Sequence, residues 1–194
     1  MPEVRGDDSL TMAKHIKCRL YRKYLEEVIP FLHENTGIKN THGLPEIEKV
    51  VVNMGLKKAK DDTAVLDEAV GHLAAITGQK PVITKSKKAI SNFGLKKGTP
   101  IGCMVTLRGV MMYEFLERVL RIVLPRIRDF SGIKRSFDRF GNLTIGIRDE
   151  SIFPEINPDS VKNIKGLGIT IVTSGKDRDT AERMFERLEF PFVR

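Results

Sequence analysis

The fold of this chain is decided by residues 47–54, Ile-Glu-Lys-Val-Val-Val-Asn-Met, whose side chains alternate as those of a half-buried β-strand do. Three apolar side chains share one side of such a strand: Val50, Val52 and Met54. The other side presents Lys49, Val51 and Asn53. The first side suits a hydrophobic core, and the second suits contact with solvent or with a polar partner. Gly55 ends the predicted strand.

Similar alternation recurs in Ile101–Arg108, Leu143–Ile147 and Leu167–Thr173, and Val82–Lys85 adds a short strand. Alternating strands are typical of an antiparallel sheet with one covered and one open face. On the open side the predicted strands share small, polar or cationic residues, namely Lys49, Asn53, Thr106, Arg108, Thr144, Gly146 and Thr170. We therefore expect a flat polar sheet face beside a basic loop, as a platform for an RNA backbone.

Apolar residues at helical spacing predict four helices. These cover 13–34, a segment from Asp61 or Asp62 to Thr77, residues 110–129, and a segment from Asp177 or Asp179 to about Glu189. Pro125 is expected to kink the third helix or to end its first part. The order α-β-α-β-β-α-β-β-α indicates an α+β fold with helices packed on one face of the sheet. We expect residues 1–12 to form a flexible tail and 13–194 a single domain.

The most informative charge pattern is a stretch without acids. The 45 residues Ala69–Tyr113 contain no Asp or Glu, although the 25 acids of the whole chain would place about six there by proportion. Seven cations therefore lack a local counter-charge: Lys80, Lys85, Lys87, Lys88, Lys96, Lys97 and Arg108. With a net charge of +8, this pattern favours a polyanionic partner, and nucleic-acid phosphate is the commonest one.

Motifs for catalysis, cofactors and metals are missing from the sequence. No Walker loop, dinucleotide turn or nucleophile elbow occurs, and the two cysteines and four histidines show no metal-ligand spacing. We expect a non-enzymatic protein without cofactor or metal. No apolar run approaches the roughly 18 residues of a membrane span, and we expect residues 1–12, which contain Glu3, Asp7 and Asp8, not to act as a secretory signal.

Three other interpretations remain open at this point. The lysine-rich loop 85–97 could be a solvated surface that binds nothing. The chain could compact DNA or attach to an anionic membrane, although its lysines lie mostly in loops rather than along an amphipathic helix. An enzyme is the remotest alternative. Phe93 is the only aromatic residue of the basic loop, which favours recognition of a folded RNA through backbone and shape over base stacking.

Six motifs, in order along the chain, carry a resemblance to a known family. They are Val50–Gly55, Thr77-Gly-Gln-Lys-Pro81, Pro100–Gly109, Pro125-Arg-Ile-Arg-Asp-Phe130, Ile152-Phe-Pro-Glu-Ile156 and Phe190-Pro-Phe192. From about Met12 to Arg194 the chain resembles the bacterial large-subunit ribosomal protein family that binds 5S rRNA, protein five of that subunit. The resemblance implies an α+β fold, a cytoplasmic location on the ribosome, and a structural place in the central protuberance.

The resemblance also implies three sets of contact residues. It assigns 5S rRNA binding to Lys49, Asn53, Gln79, Lys80, Thr106 and Arg108. It assigns contact with P-site tRNA to a loop that carries Lys85, Lys87, Lys88, Asn92, Lys96 and Lys97. It assigns a bridge to small-subunit protein thirteen to Phe137, Arg139, Gly141 and Asn142. Further implied partners are 23S rRNA and other central-protuberance proteins, and the chain is expected to be a monomer within the ribosome, without membrane contact.

One motif departs from the family pattern. Where the family usually has Phe-Asp-Gly-Arg-Gly-Asn, this chain has Phe-Asp-Arg-Phe-Gly-Asn at residues 137–142. The first glycine of the family motif is thus Arg139 here. Because glycine adopts backbone angles that other residues avoid, we expect this replacement to restrict the turn.

Overall fold

A computed structural model describes residues 18–38, 40–57, 62–158, 161, 164–175 and 177–193. The predicted tail 1–12 and the first five residues of the predicted helix 13–34 lie outside the described residues. The remaining predicted strands and helices fall within them, and they occur in the predicted order.

Within the described residues, the fold has four helices and five strands. Helix α1 comprises Arg19–Lys23, a π-helical turn Tyr24–Val28 and Ile29–Thr36, and helix α2 is Thr63–Thr77. Helix α3 comprises Gly109–Arg118, a π-helical turn Val119–Val123 and Leu124–Arg126, and helix α4 is Arg178–Arg187. The strands are β1 Ile47–Gly55, β2 Val82–Lys85, β3 Pro100–Leu107, β4 Leu143–Ile147 and β5 Leu167–Thr173.

The five strands form one antiparallel sheet in the order β2-β3-β1-β5-β4. Strand β1, which carries the alternating segment, lies at the centre of this sheet. Its Val50, Val52 and Met54 are at most 1% exposed, and they lie on the face that the helices cover. The expected α+β fold, with helices on one face of an antiparallel sheet, is confirmed.

Local sequence signals set half of the helix ends. The side chain of Asp62 accepts a hydrogen bond from the Ala64 amide, and that of Asp177 accepts one from Thr180, so both aspartates cap helices as predicted. Gly37 and Gly78 end α1 and α2 in left-handed conformations. Helix α1 extends to Thr36 rather than to 34.

Proline positions explain the irregular turns of the two longest helical runs. Pro30 and Pro125 each follow a π-helical turn by two residues and lack the N–H that would bond four residues back. In α3 the helix continues through Pro125 and ends at Arg126, so the predicted end at 129 is wrong. Across the described residues, no helix is long and apolar enough to pass through a bilayer.

A buried ionic cluster ties the end of β4 to the start of β5. Glu150 is 0% and Lys165 5% exposed, and Nζ of Lys165 lies 3.3 Å from Oε1 of Glu150 and 3.0 Å from Oε1 of Glu68. Nδ1 of His72 lies 3.1 Å from the same Glu150 oxygen. The Glu150 amide also donates to the Lys165 carbonyl at 3.1 Å, and this hydrogen bond joins the two ends of the loop between β4 and β5.

Candidate nucleic-acid interface

The sheet face opposite the helices is open in the described structure. The register of the strands determines which residues of neighbouring strands lie side by side on this face. Asn53 on β1 lies opposite Met104 on β3 and Gly168 on β5, and Gly168 lies opposite Gly146 on β4. The next row places Val51 between Thr106 and Thr170, with Thr144 beyond. Asn53, Thr144 and Gly146 are exposed, while Thr106 and Thr170 are half-buried. The predicted outward residues therefore share one surface.

This face is not polar throughout, which corrects the expected polar platform. Val82 is 62% exposed and lies directly opposite Met104, which is 36% exposed, and Val51 is half-buried beside them. Val82 belongs to the edge strand β2, and no other strand of the described residues lies on its outer side. The open face thus combines an apolar strip with the amide of Asn53 and with two paired glycines, Gly146 and Gly168.

Gly168 fixes the position of the Asn53 side chain. A Cβ atom at Gly168 would come within 2.6 Å of Oδ1 of Asn53, so the amide lies across the glycine. A Cβ atom at Gly146, by contrast, would have nothing within 4 Å. Neither glycine has a positive φ, so an L side chain at either position meets no backbone strain.

Five of the six predicted 5S rRNA residues gather at one end of this face, namely Lys49, Gln79, Lys80, Thr106 and Arg108. Lys49 lies two residues from Val51, the partner of Thr106, and Arg108 directly follows β3. Val82 pairs with Met104 in antiparallel strands. Lys80, two residues before Val82, therefore lies beside Thr106 at the edge of the sheet. Gln79 is exposed in the same turn. Asn53 lies further along β1, toward the middle of the sheet.

The basic loop lies at the other end of β3. The chain from Pro100 to Arg108 spans about 27 Å at the rise per residue of an extended strand. Hydrogen bonds close it: the Ser86 amide donates to Thr99 at 2.8 Å, and the Gly98 amide donates to Ser86 at 2.9 Å. Ile90 and Leu95 form a bridge, and a 3-10 turn Ser91–Phe93 lies between them. The loop is therefore more ordered than its glycines and lysines predict, and its lysines are exposed.

The seven cations of the acid-free stretch form no ion pair with any carboxylate in the described part of the chain. Other basic residues do pair, as Arg135 does with Glu182 and Glu186 and Arg118 does with Glu155. The cations at Lys80–Arg108 thus remain available to an external anion. Their uncompensated charge is the electrostatic footprint of a nucleic-acid surface.

A third predicted site, the turn at 137–142, is built around Asp138. Its carboxylate accepts the amides of Phe140 at 2.9 Å and Asn142 at 2.8 Å, and Nδ2 of Asn142 at 2.6 Å. Burial acts to raise the pKa of Asp138, but these hydrogen bonds outweigh it and leave the pKa below its ordinary value. Arg139 does not adopt a positive φ, so the expected restriction by the missing glycine does not arise.

Side chains of this turn divide into supporting and exposed ones. Phe137 packs against Phe185 and Phe192, each with ring centroids 5.7 Å away. Gly141 is buried at φ +81°, where a Cβ would lie 2.4 Å from Ala181, and Asn142 accepts the Thr173 amide. Of the four predicted bridge residues Arg139 is therefore the exposed one. Sequence reasoning missed Phe140, which is 65% exposed at the tip.

Nucleophile and metal chemistry find no support in the described residues. Burial raises the pKa of the Cys103 thiol to about 11, and burial also raises the pKa of Cys18, so both thiols stay protonated. Within the described ranges, no group of three or more His, Cys, Asp or Glu side chains is arranged to hold a metal ion. The features that remain are a charged surface, an open sheet face and two structured loops.

Comparison with known proteins gives a consistent result. A family model described as ribosomal protein L5 matches residues 40–96, and a model of the C-terminus of the same ribosomal protein family matches 100–192. The two matched regions interleave in one sheet, because β1 of the first lies between β3 and β5 of the second.

Individual relatives match over nearly their full length. The chain is 50% identical to the large ribosomal subunit protein uL5 of Geobacter sulfurreducens over 90% of this chain and 98% of that protein. It is 49% identical to uL5 of Acidobacterium capsulatum over 90% and 96%, and 46% identical to uL5 of Mesoplasma florum over 92% and 100%. The resemblance that six sequence motifs carried is thereby confirmed, and the chain belongs to the ribosomal protein L5 family of the large ribosomal subunit.

Proposed function

We propose that this chain binds 5S rRNA through the open sheet face and the cations at its Arg108 end, and attaches that RNA to the large subunit. The observation that carries the proposal is the group of cations that have no carboxylate partner in the described residues. Membership of its family makes the chain a structural component of the large ribosomal subunit, which in bacteria is a cytoplasmic ribonucleoprotein particle active in translation.

Binding would combine charge with directed hydrogen bonds. Lys49, Lys80 and Arg108 would neutralise phosphates and release counterions, which sets most of the affinity. Asn53, Gln79 and Thr106 would donate or accept hydrogen bonds at the backbone and 2′-hydroxyl groups, which fixes the register of a folded RNA. Gly146 lets the RNA approach the sheet closely, because a Cβ atom there would have nothing within 4 Å, while Gly168 leaves room for the Asn53 amide that lies across it.

Replacing Asn53 by alanine is expected to weaken 5S rRNA binding by about 1–3 kcal/mol, because polar RNA groups would lose their partner. Asn53 is exposed and its removal deletes no core contact, so the free energy of unfolding should change little. A filter-binding assay on folded protein measures the effect. Thr144→Val, on the same face but outside the proposed contact set, serves as the control. Wild-type affinity in Asn53→Ala would remove this residue from the site.

A second substitution tests how Asn53 is positioned. Gly168→Ala should displace the Asn53 amide, since the new Cβ would come within 2.6 Å of Oδ1. We expect a loss of 5S rRNA affinity close to that of Asn53→Ala, about 1–3 kcal/mol. In the Asn53→Ala background, Gly168→Ala should add almost nothing, because the group that it displaces is already gone. Additive losses in this double-mutant cycle would show that the two residues act separately.

The basic loop and the Asp138 turn complete the proposal. The exposed lysines of the loop, at the far end of β3, would contact P-site tRNA. In the 137–142 turn, Arg139 and Phe140 would contact small-subunit protein thirteen, while Phe137, Gly141 and Asn142 hold the turn in shape. Both loops are held by internal hydrogen bonds, which lowers the entropy that binding would have to remove.

A further inference from the structure

An open groove of about 690 Å³ lies between the basic loop and the adjoining ends of β1 and β3. Its walls are mainly apolar and come from Leu56, Phe93, Leu95 and Ile101, with Asn92 and Lys57 as polar members. This volume falls within the range of small-ligand sites. No residue of the groove belongs to the 5S rRNA set at the opposite end of β3.

Phe93 stands out among the groove residues, because its side chain is 66% exposed. The 3-10 turn Ser91–Phe93 and the left-handed Gly94, at φ +61°, determine its position, and the bridge between Ile90 and Leu95 closes the turn. The fold thus holds an aromatic ring at the surface on an ordered support. Exposed aromatic surface beside a concave site is typical of a binding site.

The charge around the groove selects the class of ligand. Residues 69–113 contain no acid, and Lys87, Lys88, Lys96 and Lys97 have no carboxylate partner in the described chain. An anionic ligand with an aromatic part fits this setting: phosphate beside the lysines and a flat ring on Phe93. Nucleic-acid bases stack on aromatic side chains in this way, and an asparagine amide can pair with a base edge.

We propose that the groove receives one unstacked nucleobase of the RNA that the basic loop contacts, with the base on Phe93 and its edge at Asn92. This proposal rests on the proposed contact between the loop and RNA, and it adds a base-binding pocket to a surface otherwise assigned to phosphate. It also revises the inference from sequence that a single aromatic residue argues against stacking.

Nuclear magnetic resonance of the isolated full chain tests the pocket with defined probes: AMP, UMP and ribose 5-phosphate. We expect both nucleotides at millimolar concentration to shift the Phe93 ring and Asn92 side-chain signals, and ribose 5-phosphate to leave the ring signals in place. Phe93→Tyr should retain the effect. Phe93→Leu, which keeps an apolar side chain but removes the aromatic ring, should weaken AMP binding roughly tenfold. Because Phe93 is exposed, these variants should fold.

Two results would overturn the pocket: ribose 5-phosphate shifting the ring signals as strongly as AMP does, or a neutral aromatic peptide shifting them while AMP does not. The loop's contact with tRNA is measured separately, as the loss of tRNA affinity in Lys96→Ala/Lys97→Ala. Undiminished tRNA affinity in that variant would count against the loop contact alone. A silent AMP titration beside a clear lysine effect would count against the pocket alone.

Discussion

Replacing Lys49, Lys80 and Arg108 by alanine together is expected to weaken 5S rRNA binding by about 100- to 500-fold at 0.1 M salt. Each phosphate contact contributes a slope of about 0.7–0.9 to the dependence of log affinity on log salt, so the slope should fall by about two to three. The fold should tolerate the change, because none of the three pairs with a carboxylate in the described residues and Arg108 makes no side-chain cap at the start of α3. Filter binding across a salt series measures both quantities.

A matched control removes the same charge from the other end of β3. Lys87→Ala/Lys96→Ala/Lys97→Ala lowers the net charge equally but changes only the basic loop. If the 5S rRNA site lies where we propose, this variant should lose much less 5S rRNA affinity and keep most of the salt slope. Equal losses in the two triple variants would mean that net charge alone drives binding. Tight binding of duplex DNA by the wild type would point to the same unspecific mode.

Periodicity along the chain predicted the sheet because side-chain direction in a strand depends on local geometry alone. The alternation at Lys49–Met54 placed Val50 inward and Asn53 outward, and the register of β1 with β3 and β5 agrees. Helix starts were predictable for a similar reason, since Asp62 and Asp177 cap through bonds to residues two or three positions ahead. Such signals depend only on residues that are a few positions apart in the sequence.

Features that depend on distant contacts were not predictable in the same way. Phe137 and Phe140 are both phenylalanines of one turn, yet the first packs on Phe185 and the second is exposed. Their directions follow from the hydrogen bonds of Asp138, which composition does not reveal. Likewise, Asn53 lies over Gly168, more than a hundred residues away in the chain, only because β1 pairs with β5. The sequence alone predicted that Asn53 faces outward, but not that Gly168 lies beneath its side chain.

The ionic cluster at Lys165 also depends on contacts between residues that are distant in the sequence. Its removal should have the largest effect on stability. Replacing Lys165 by methionine is expected to lower the free energy of unfolding by about 3–5 kcal/mol, because it leaves the carboxylate of Glu150 buried without its cation. Glu150 is 0% exposed, and Lys165 is the cation that lies 3.3 Å from it. For a chain of this size the melting temperature should fall by about 6–20 °C.

Two further variants separate a buried charge from a lost contact. Arg121→Met breaks an ion pair with Glu117, at 3.5 Å, in which the arginine is half exposed, and should cost at most about 0.5 kcal/mol. Glu150→Gln/Lys165→Met removes the cation together with the fully buried one of its two carboxylates and leaves Glu68, whose side chain is 21% exposed. It should recover part of the loss, because an amide is far cheaper to bury than a carboxylate. At temperatures where Lys165→Met is folded, its 5S rRNA affinity should match the wild type, since Lys165 is buried and lies on no part of the proposed interface. A double variant less stable than Lys165→Met would mean that hydrogen bonding and packing, rather than uncompensated charge, dominate this cluster.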